Sequence, residues 1–349
     1  MGNRIFYACQ NVELSGPSGD KTSGNPDFDS IHGLQSVGMS TNFNLEPIYQ
    51  LGQLELYDNY EEIPEVEITL NKVLDGNQTI FAMAVGTGNI VNIANNRTAV
   101  RLSLFPDSTL TAVGTPTSQV LCTPAYLSQV TYTFPTEGNF TEEVTLVSNN
   151  KVWTTGSSTT SVSDTLNNSP RFTIMRRGQF DRTGSVLPTG AGGVYSSGSL
   201  PAGARVTNIT VTVNLGREQL RELGSRVPYL RYVNFPLEIT SEFEVTAREN
   251  GDLVGVTDAA NACTQPKALA NQTIVLKTCD GMVLNLGSKN KLTSVNFQGG
   301  DTGGGNATLT YSYQTFNDFI YTAPTGIDGS NSFTDVVEGG LPTASDFFT

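Results

Sequence analysis

The run Pro64-Glu65-Val66-Glu67-Ile68-Thr69-Leu70 alternates residue by residue. Val66, Ile68 and Leu70 share one parity, and Glu65, Glu67 and Thr69 share the other. A period of two places successive side chains on opposite faces of an extended chain, so this stretch predicts a half-buried strand. The same pattern recurs at Asn208 to Val213, Val130 to Phe134 and Thr308 to Tyr313. Between these runs lie Gly, Asn, Asp and Pro turns. The expected class is therefore all-β, with only short helices. Two segments, Leu45 to Leu51 and Arg217 to Leu223, carry enough apolar spacing for two helical turns each. Gly52 and Gly224 follow them, where a left-handed residue would end a helix.

Those two segments expose an internal similarity. Residues 37–64 align without gaps on 209–236, with seven identities at a separation of 172 residues. The identities include Asn42 with Asn214, Glu46 with Glu218, Gly52 with Gly224, Tyr57 with Tyr229 and Pro64 with Pro236. A second match at a separation of 165 pairs Leu127 with Leu292, Val130 with Val295 and Thr145 with Thr310. Ordered matches at about half the chain length predict one ancestral domain duplicated in tandem. The expected division is a first β domain at 1–153, a polar Ser/Thr linker at 154–169, a second β domain at 170–325 and an extended C-terminal arm at 326–349.

Composition narrows the function. The chain has 349 residues, 20 Lys and Arg against 33 Asp and Glu, and a net charge of −13. Phosphate neutralisation and anionic membrane surfaces both require the opposite sign. Charged residues make up only 15%, while the apolar share is ordinary, which argues against disorder. No apolar run is long enough for a membrane-spanning helix. Cys9, Cys122, Cys263 and Cys279 contain no Cys-x-x-Cys pair and are expected as small buried hydrophobes.

Chemistry-bearing motifs are scarce. His32 is the single histidine, and any Ser-His-Asp or Cys-His arrangement would need it. The run Gly299 to Gly305 lacks a following Lys-Ser/Thr and lies between strand patterns, so a hairpin tip is expected there. No cofactor or metal is expected. Carboxylate pairs are the one plentiful catalytic resource, and an enzyme acting on carbohydrate is the alternative they leave open. The acids otherwise sit opposite apolar positions on strands, as the outer face of a sheet or as the lining of a channel. Glu65 and Glu67 correspond roughly to Glu238, Glu242 and Glu244.

Taken together, several stretches resemble the tail tube proteins of long-tailed bacteriophages. They are His32-Gly33-Leu34-Gln35-Ser36-Val37 with Asn42-Phe43-Asn44-Leu45, Tyr49 to Gln53, and the strand and turn from Pro64 to Gly76. Val130 to Pro135 with Gly138 to Glu143, and Leu292 to Val295 with Thr308 to Tyr311, resemble them too. The segment from Gln78 to Thr123 departs from the pattern. The resemblance implies a small β-sandwich or barrel per domain, six domains per ring, a continuous β-barrel around a lumen, and rings stacked into a tube. Two domains per chain then imply homotrimer rings with pseudo-sixfold symmetry, made in the host cytoplasm and located in the virion tail. The implied partners are further copies, the terminator, baseplate or tip proteins, a sheath where the tail contracts, and double-stranded DNA passing through without specific binding. No membrane is involved.

On that reading the apolar connections contact the neighbouring subunit or the next ring. The residues are Leu54, Leu56, Tyr57, Tyr60 and Ile63 in the first repeat, and Tyr229, Tyr232 and Phe235 in the second. Glu65, Glu67, Glu238, Glu242 and Glu244 are expected to face the lumen. The alternative within virions is a capsid decoration, baseplate or fibre protein.

Overall fold

A computed structural model describes residues 5, 7–16, 28–106, 112–162, 174–182, 184–188, 205–246, 271–300 and 305–324. The expected C-terminal arm, Cys263 and residues 163–169 of the expected linker lie outside these residues.

The fold is all-β, with short helices. In chain order the first strands are β1 Gln10–Ser15, β2 Phe28–Ser30, β3 Leu34–Asn42, β4 Leu45–Tyr49, β5 Leu56–Glu61 and β6 Glu65–Val73. Helix α1 Ile80–Val85, β7 Gly88–Asn89 and helix α2 Ile90–Ile93 follow, then β8 Arg97–Leu104, β9 Ser118–Pro135, β10 Thr141–Ser148 and β11 Val152–Thr155. The second half holds β12 Arg205–Asn214, β13 Arg217–Leu220, β14 Leu230–Val233, β15 Glu238–Thr246 and β16 Val275–Lys277. It ends with β17 Val283–Asn285, β18 Lys291–Gln298, β19 Thr308–Phe316 and β20 Ile320–Thr322.

One antiparallel sheet runs through both halves in the order β18-β19-β15-β12-β9-β10-β6-β3. It contains two four-stranded units, β3-β6-β10-β9 and β12-β15-β19-β18, joined where β9 pairs with β12. Strand pairing corresponds between the units residue by residue. Ser36 opposite Asn71 becomes Asn208 opposite Glu244, at separations of 172 and 173. Thr141 opposite Thr133 becomes Thr308 opposite Gln298, at separations of 167 and 165. The bulges correspond as well: Gln35 and Thr207 are each skipped by the ladder, and so are Ser128 and Thr293. The expected match of Thr145 with Thr310 is displaced by two residues, because Thr145 takes the ladder place of Ser312. A shift of two keeps every side chain on its face, so the alternating pattern alone could not detect it.

The core lies on one side of this sheet. Val66, Ile68 and Leu70 of β6 are buried, as are Ile209, Val211 and Val213 of β12, and Leu309, Tyr311 and Tyr313 of β19. The 18-residue β9 leaves the main sheet at its N-terminal half, where it pairs with β8 and β11, and β8 continues to β1 and β2. Helix α1 packs against β1, β8, β9 and β10, with Ile80, Phe81, Ala84 and Val85 fully buried. In the second unit a small sheet, β16-β17-β20-β7, adds Leu276, Leu284 and Tyr321 to the same core.

Two expectations are corrected. Leu45–Tyr49 and Arg217–Leu220 are strands, not helical turns, and form the hairpins β4–β5 and β13–β14. Pro47 sits inside the first, where a helix would lose a hydrogen bond, and each strand finds a cross-strand partner instead. Gly52 and Gly224 do take positive φ, +93° and +92°, but at hairpin connections. The described part of the expected linker is also tied down. Thr154 and Thr155 pair with Gln119 and Ser118, and Val162 is buried with Phe105 and Ala112.

Candidate functional site

Three features stand outside the core: the sheet edges, the hairpins and the polar face. The strand path ends at β3 and β18, and among the described residues neither outer edge has a partner. Both are long, at nine and eight residues. Neither contains proline, and Lys291 at the start of β18 is the one charge on either. Natural edge strands are usually short, charged, kinked or covered, because their unpaired N–H and C=O groups recruit other strands. Apart from one bulge each, at Gln35 and Thr293 near one end, and Lys291, these two lack those protections. Phe297 of β18, on the core-facing parity, is 67% exposed.

The hairpins share a register, Leu45 opposite Glu61 corresponding to Arg217 opposite Val233, but differ in environment. Hairpin β13–β14 is anchored on the first unit by four arginines. Arg217 donates through Nε to the Leu127 carbonyl at 2.7 Å and through Nη2 to the Ala94 carbonyl at 2.6 Å. Burial pulls its guanidinium down to about 10. Arg231 is 3% exposed and reaches Glu65 at 2.8 Å and Asn149 Oδ1 at 2.9 Å. Arg221 pairs with Glu62 at 2.7 Å, and Arg226 donates to the Glu61 carbonyl. Hairpin β4–β5 is exposed at every residue of both strands. A lone two-stranded hairpin is marginal in water, and this one carries Leu45, Ile48 and Tyr49 in the open.

The expected contact residues divide accordingly. Leu54, Leu56, Tyr57 and Tyr60 are exposed, and Ile63 is half-buried in a cleft of about 710 Å³ beside Phe43, Leu45 and Val227. Tyr229, Tyr232 and Phe235 are exposed too, with Tyr232 and Phe235 stacked edge to face at 6.3 Å. In the Ser225 to Pro236 connection Arg226 and Arg231 dock on the first unit of the same chain, while Tyr229, Tyr232 and Phe235 are left open.

The sheet face opposite the core carries Thr69, Thr131, Thr133, Thr210, Thr212, Thr240, Thr310, Ser312 and Gln314, half-exposed throughout. Glu65 and Glu67 of β6 and Glu238, Glu242 and Glu244 of β15 all stand on it, with three strands between the two groups. Glu143 of β10 joins them, opposite Asn71 and Thr131. It shares parity with Thr141 and Thr145, which was the available signal for it. Lys291 stands at the margin of this face, opposite Gln314, and Arg205 at the start of β12 is paired with Thr246 at the other end. Hydrogen bonds run across it: Thr131 and Thr212 meet at 3.2 Å, and Gln314 Nε2 donates to Glu238 at 2.6 Å.

Other ionisable groups are structural. Glu142, fully buried, accepts from the Ile80 and Phe81 amides at 2.7 and 2.9 Å and from the Tyr132 hydroxyl at 3.0 Å, closing the N-terminus of α1. Burial pushes its carboxyl above the ordinary range despite those donors. Glu13 and Arg101 form a buried bidentate pair, with the guanidinium 4.1 Å from the Phe28 ring centre. Among the described residues no group of three or more His, Cys, Asp or Glu is placed to hold a metal ion. Nor is any helix long and apolar enough to cross a membrane.

Compared with known proteins, the chain matches no family model and no curated protein sequence.

Proposed function

We propose that the chain is a structural virion protein that forms rings of three copies, and that the rings stack into a hollow tail tube. The observation that carries this reading is the open eight-stranded sheet whose two edges, at opposite ends of one strand path, are unpaired among the described residues. Within the chain, the last strand of the first unit (β9) already pairs with the first strand of the second (β12). The free edges are the remaining pair of that kind: β3 takes the place of β12, and β18 the place of β9. Contacts of this head-to-tail type generate closed rings when the rotation between copies is a whole fraction of a turn. The corresponding registers support a tandem duplication, and six units of one kind per ring then require three chains.

The polar face supports the same reading. Closing the sheet through three chains gives about 24 strands. At ~4.8 Å per strand and ~40° of tilt the wall is roughly 48 Å across between backbones, wider than a DNA duplex. A lining mostly of hydroxyls, amides and carboxylates, with cationic residues only at its margins, offers phosphates little to hold, so a charged polymer slides without binding. Negative-stain electron microscopy of the purified full-length chain tests the proposal, the expected result being rings or hollow filaments. The second reading, a capsid decoration, baseplate or fibre protein, shares the duplicated β units but not a continuous wall. It would yield small oligomers without a lumen.

A further inference from the structure

Granting the ring, we infer that the contact between copies reproduces the contact within the chain, strand register and hairpin seat included. The β9–β12 joint pairs Thr131 with Thr212 and Tyr132 with Val211. Shifting β12 back by 172 residues and β9 forward by 165, the separations fixed by the ladders, sets β3 of one copy against β18 of the next. Ser40 then lies opposite Asn296, Met39 opposite Phe297, Thr41 opposite Val295 and Gly38 opposite Gln298. Each pair shares a face: Met39 leans on the core and Phe297 has the core-facing parity, as do Thr41 and Val295, while Ser40 and Asn296 both lie on the polar face. The joint would cover the exposed Phe297 ring and satisfy both rows of edge amides and carbonyls. A slip by one residue would set core-facing side chains against polar ones.

The hairpins follow the same displacement. Hairpin β13–β14 is seated on the first unit at Glu65, Asn149 and the Leu127 carbonyl. The ladder counterparts of those three in the second unit are Glu238, Phe316 and Leu292. Hairpin β4–β5 is therefore the occupant of that seat on the next copy, which leaves it fully exposed in a single chain. The chemistry changes on both sides together. Arg217, Arg221 and Arg226 have Leu45, Tyr49 and Leu54 as counterparts, and Arg231 has Asn59, while the seat offers Glu238 and Phe316, the latter half-exposed. Within a chain the seat is held by guanidinium groups, and between chains by apolar contact with Asn59 set beside Glu238. The strand joint and the hairpin seat are two parts of one surface, whose partner is a second copy in the same ring.

Cysteine cross-linking tests the register on the full-length chain. Opposed residues on neighbouring antiparallel strands lie within disulfide range, and the in-chain counterparts of Ser40 and Asn296 bring their hydroxyls to 3.2 Å. The Ser40→Cys/Asn296→Cys variant, oxidised after assembly, is expected to give covalent dimers and trimers on non-reducing gels. The register-shifted pair Ser40→Cys/Gln298→Cys and each single variant are expected to stay monomeric. Rings by microscopy with cross-linking only in the shifted pair, or in neither pair, would overturn this joint and leave the ring proposal standing. Monomers by sedimentation for the unsubstituted chain, with no rings, would overturn both. For the hairpin seat, Asn59→Cys with Phe316→Cys, the counterparts of Arg231 and Asn149, supplies a second pair joined by a short thiol-reactive cross-linker, and its failure to cross-link in rings that the first pair does cross-link would overturn the seat alone.

Discussion

Thr207 stands in β12 where Gln35 stands in β3: each is the one residue its ladder skips, and the two are 172 residues apart. A bulge bends its strand and sharpens the local twist, so a matched pair bends both units at the same height. Ser128 and Thr293 repeat the relation on the other outer strands. Curvature introduced at the same level around a wall is what a closed barrel needs, and a flat sheet would not close.

Arg231 holds the two units together at the joint. Arg231→Met would remove its bonds to Glu65 and Asn149 and leave Glu65 without its cation. The Glu65 side chain is 35% exposed and can rehydrate, so the cost falls below that of a fully buried pair, at about 2 kcal/mol. Urea unfolding of the monomeric form measures it. A midpoint unchanged from the parent would contradict the anchoring role.

Glu142 gives a pH dependence with a definite sign. Its folded carboxyl titrates above the ordinary 4.5, chiefly through burial. Stability from this group is therefore complete below the unfolded value and is lost as pH rises through the folded one. Glu142→Gln removes that component. The difference in unfolding midpoint between parent and variant is expected to change with pH above 4.5, the parent losing ground as pH rises. A constant difference across that window would refute the assignment.

Deleting Leu54 to Tyr60 removes part of the connection and five of the six residues of β5, all exposed, and nothing from the core. The expected product is a folded chain that fails to polymerise, with native-like circular dichroism and a monomeric sedimentation coefficient. Normal tubes from this variant would show that the hairpin carries no contact between copies.

The polar face predicts a charge-reversal phenotype. Glu67→Lys, Glu242→Lys and Glu244→Lys together exchange three carboxylates for ammonium groups on each chain. Assembled tubes should then retain duplex DNA in a salt-dependent way, while parent tubes do not. Equal retention by both in filter binding, at low and high salt, would place these residues off the lumen.

Much of this arrangement is legible in the sequence, because half-buried strands keep strict parity. Val66, Ile68 and Leu70 announce β6, and the identities from Asn42 to Pro64 announce the second unit. The hairpins were harder: over seven residues, apolar spacing at Ile48 and Leu51 fits helix and strand alike. Helix α1 is apolar on all sides because β1, β8, β9 and β10 enclose it, so it shows no helical period. Ser/Thr-rich Thr154 and Thr155 have linker composition, yet backbone pairing to β9 needs no particular side chain. The buried ions left a trace. Glu142 shares parity with Val144 and Leu146, Arg231 with Val233, and Lys72 with Leu70, so each breaks the pattern at a core-facing position.

Electron cryomicroscopy of the purified, polymerised chain, with symmetry left free during reconstruction, tests the ring most directly. The expected image is a hollow ring of six similar lobes with threefold symmetry and a continuous inner β-wall carrying Glu67, Glu242 and Glu244. Monomers that never form rings at high concentration, or an oligomer with β3 and β18 both open to solvent, would contradict it.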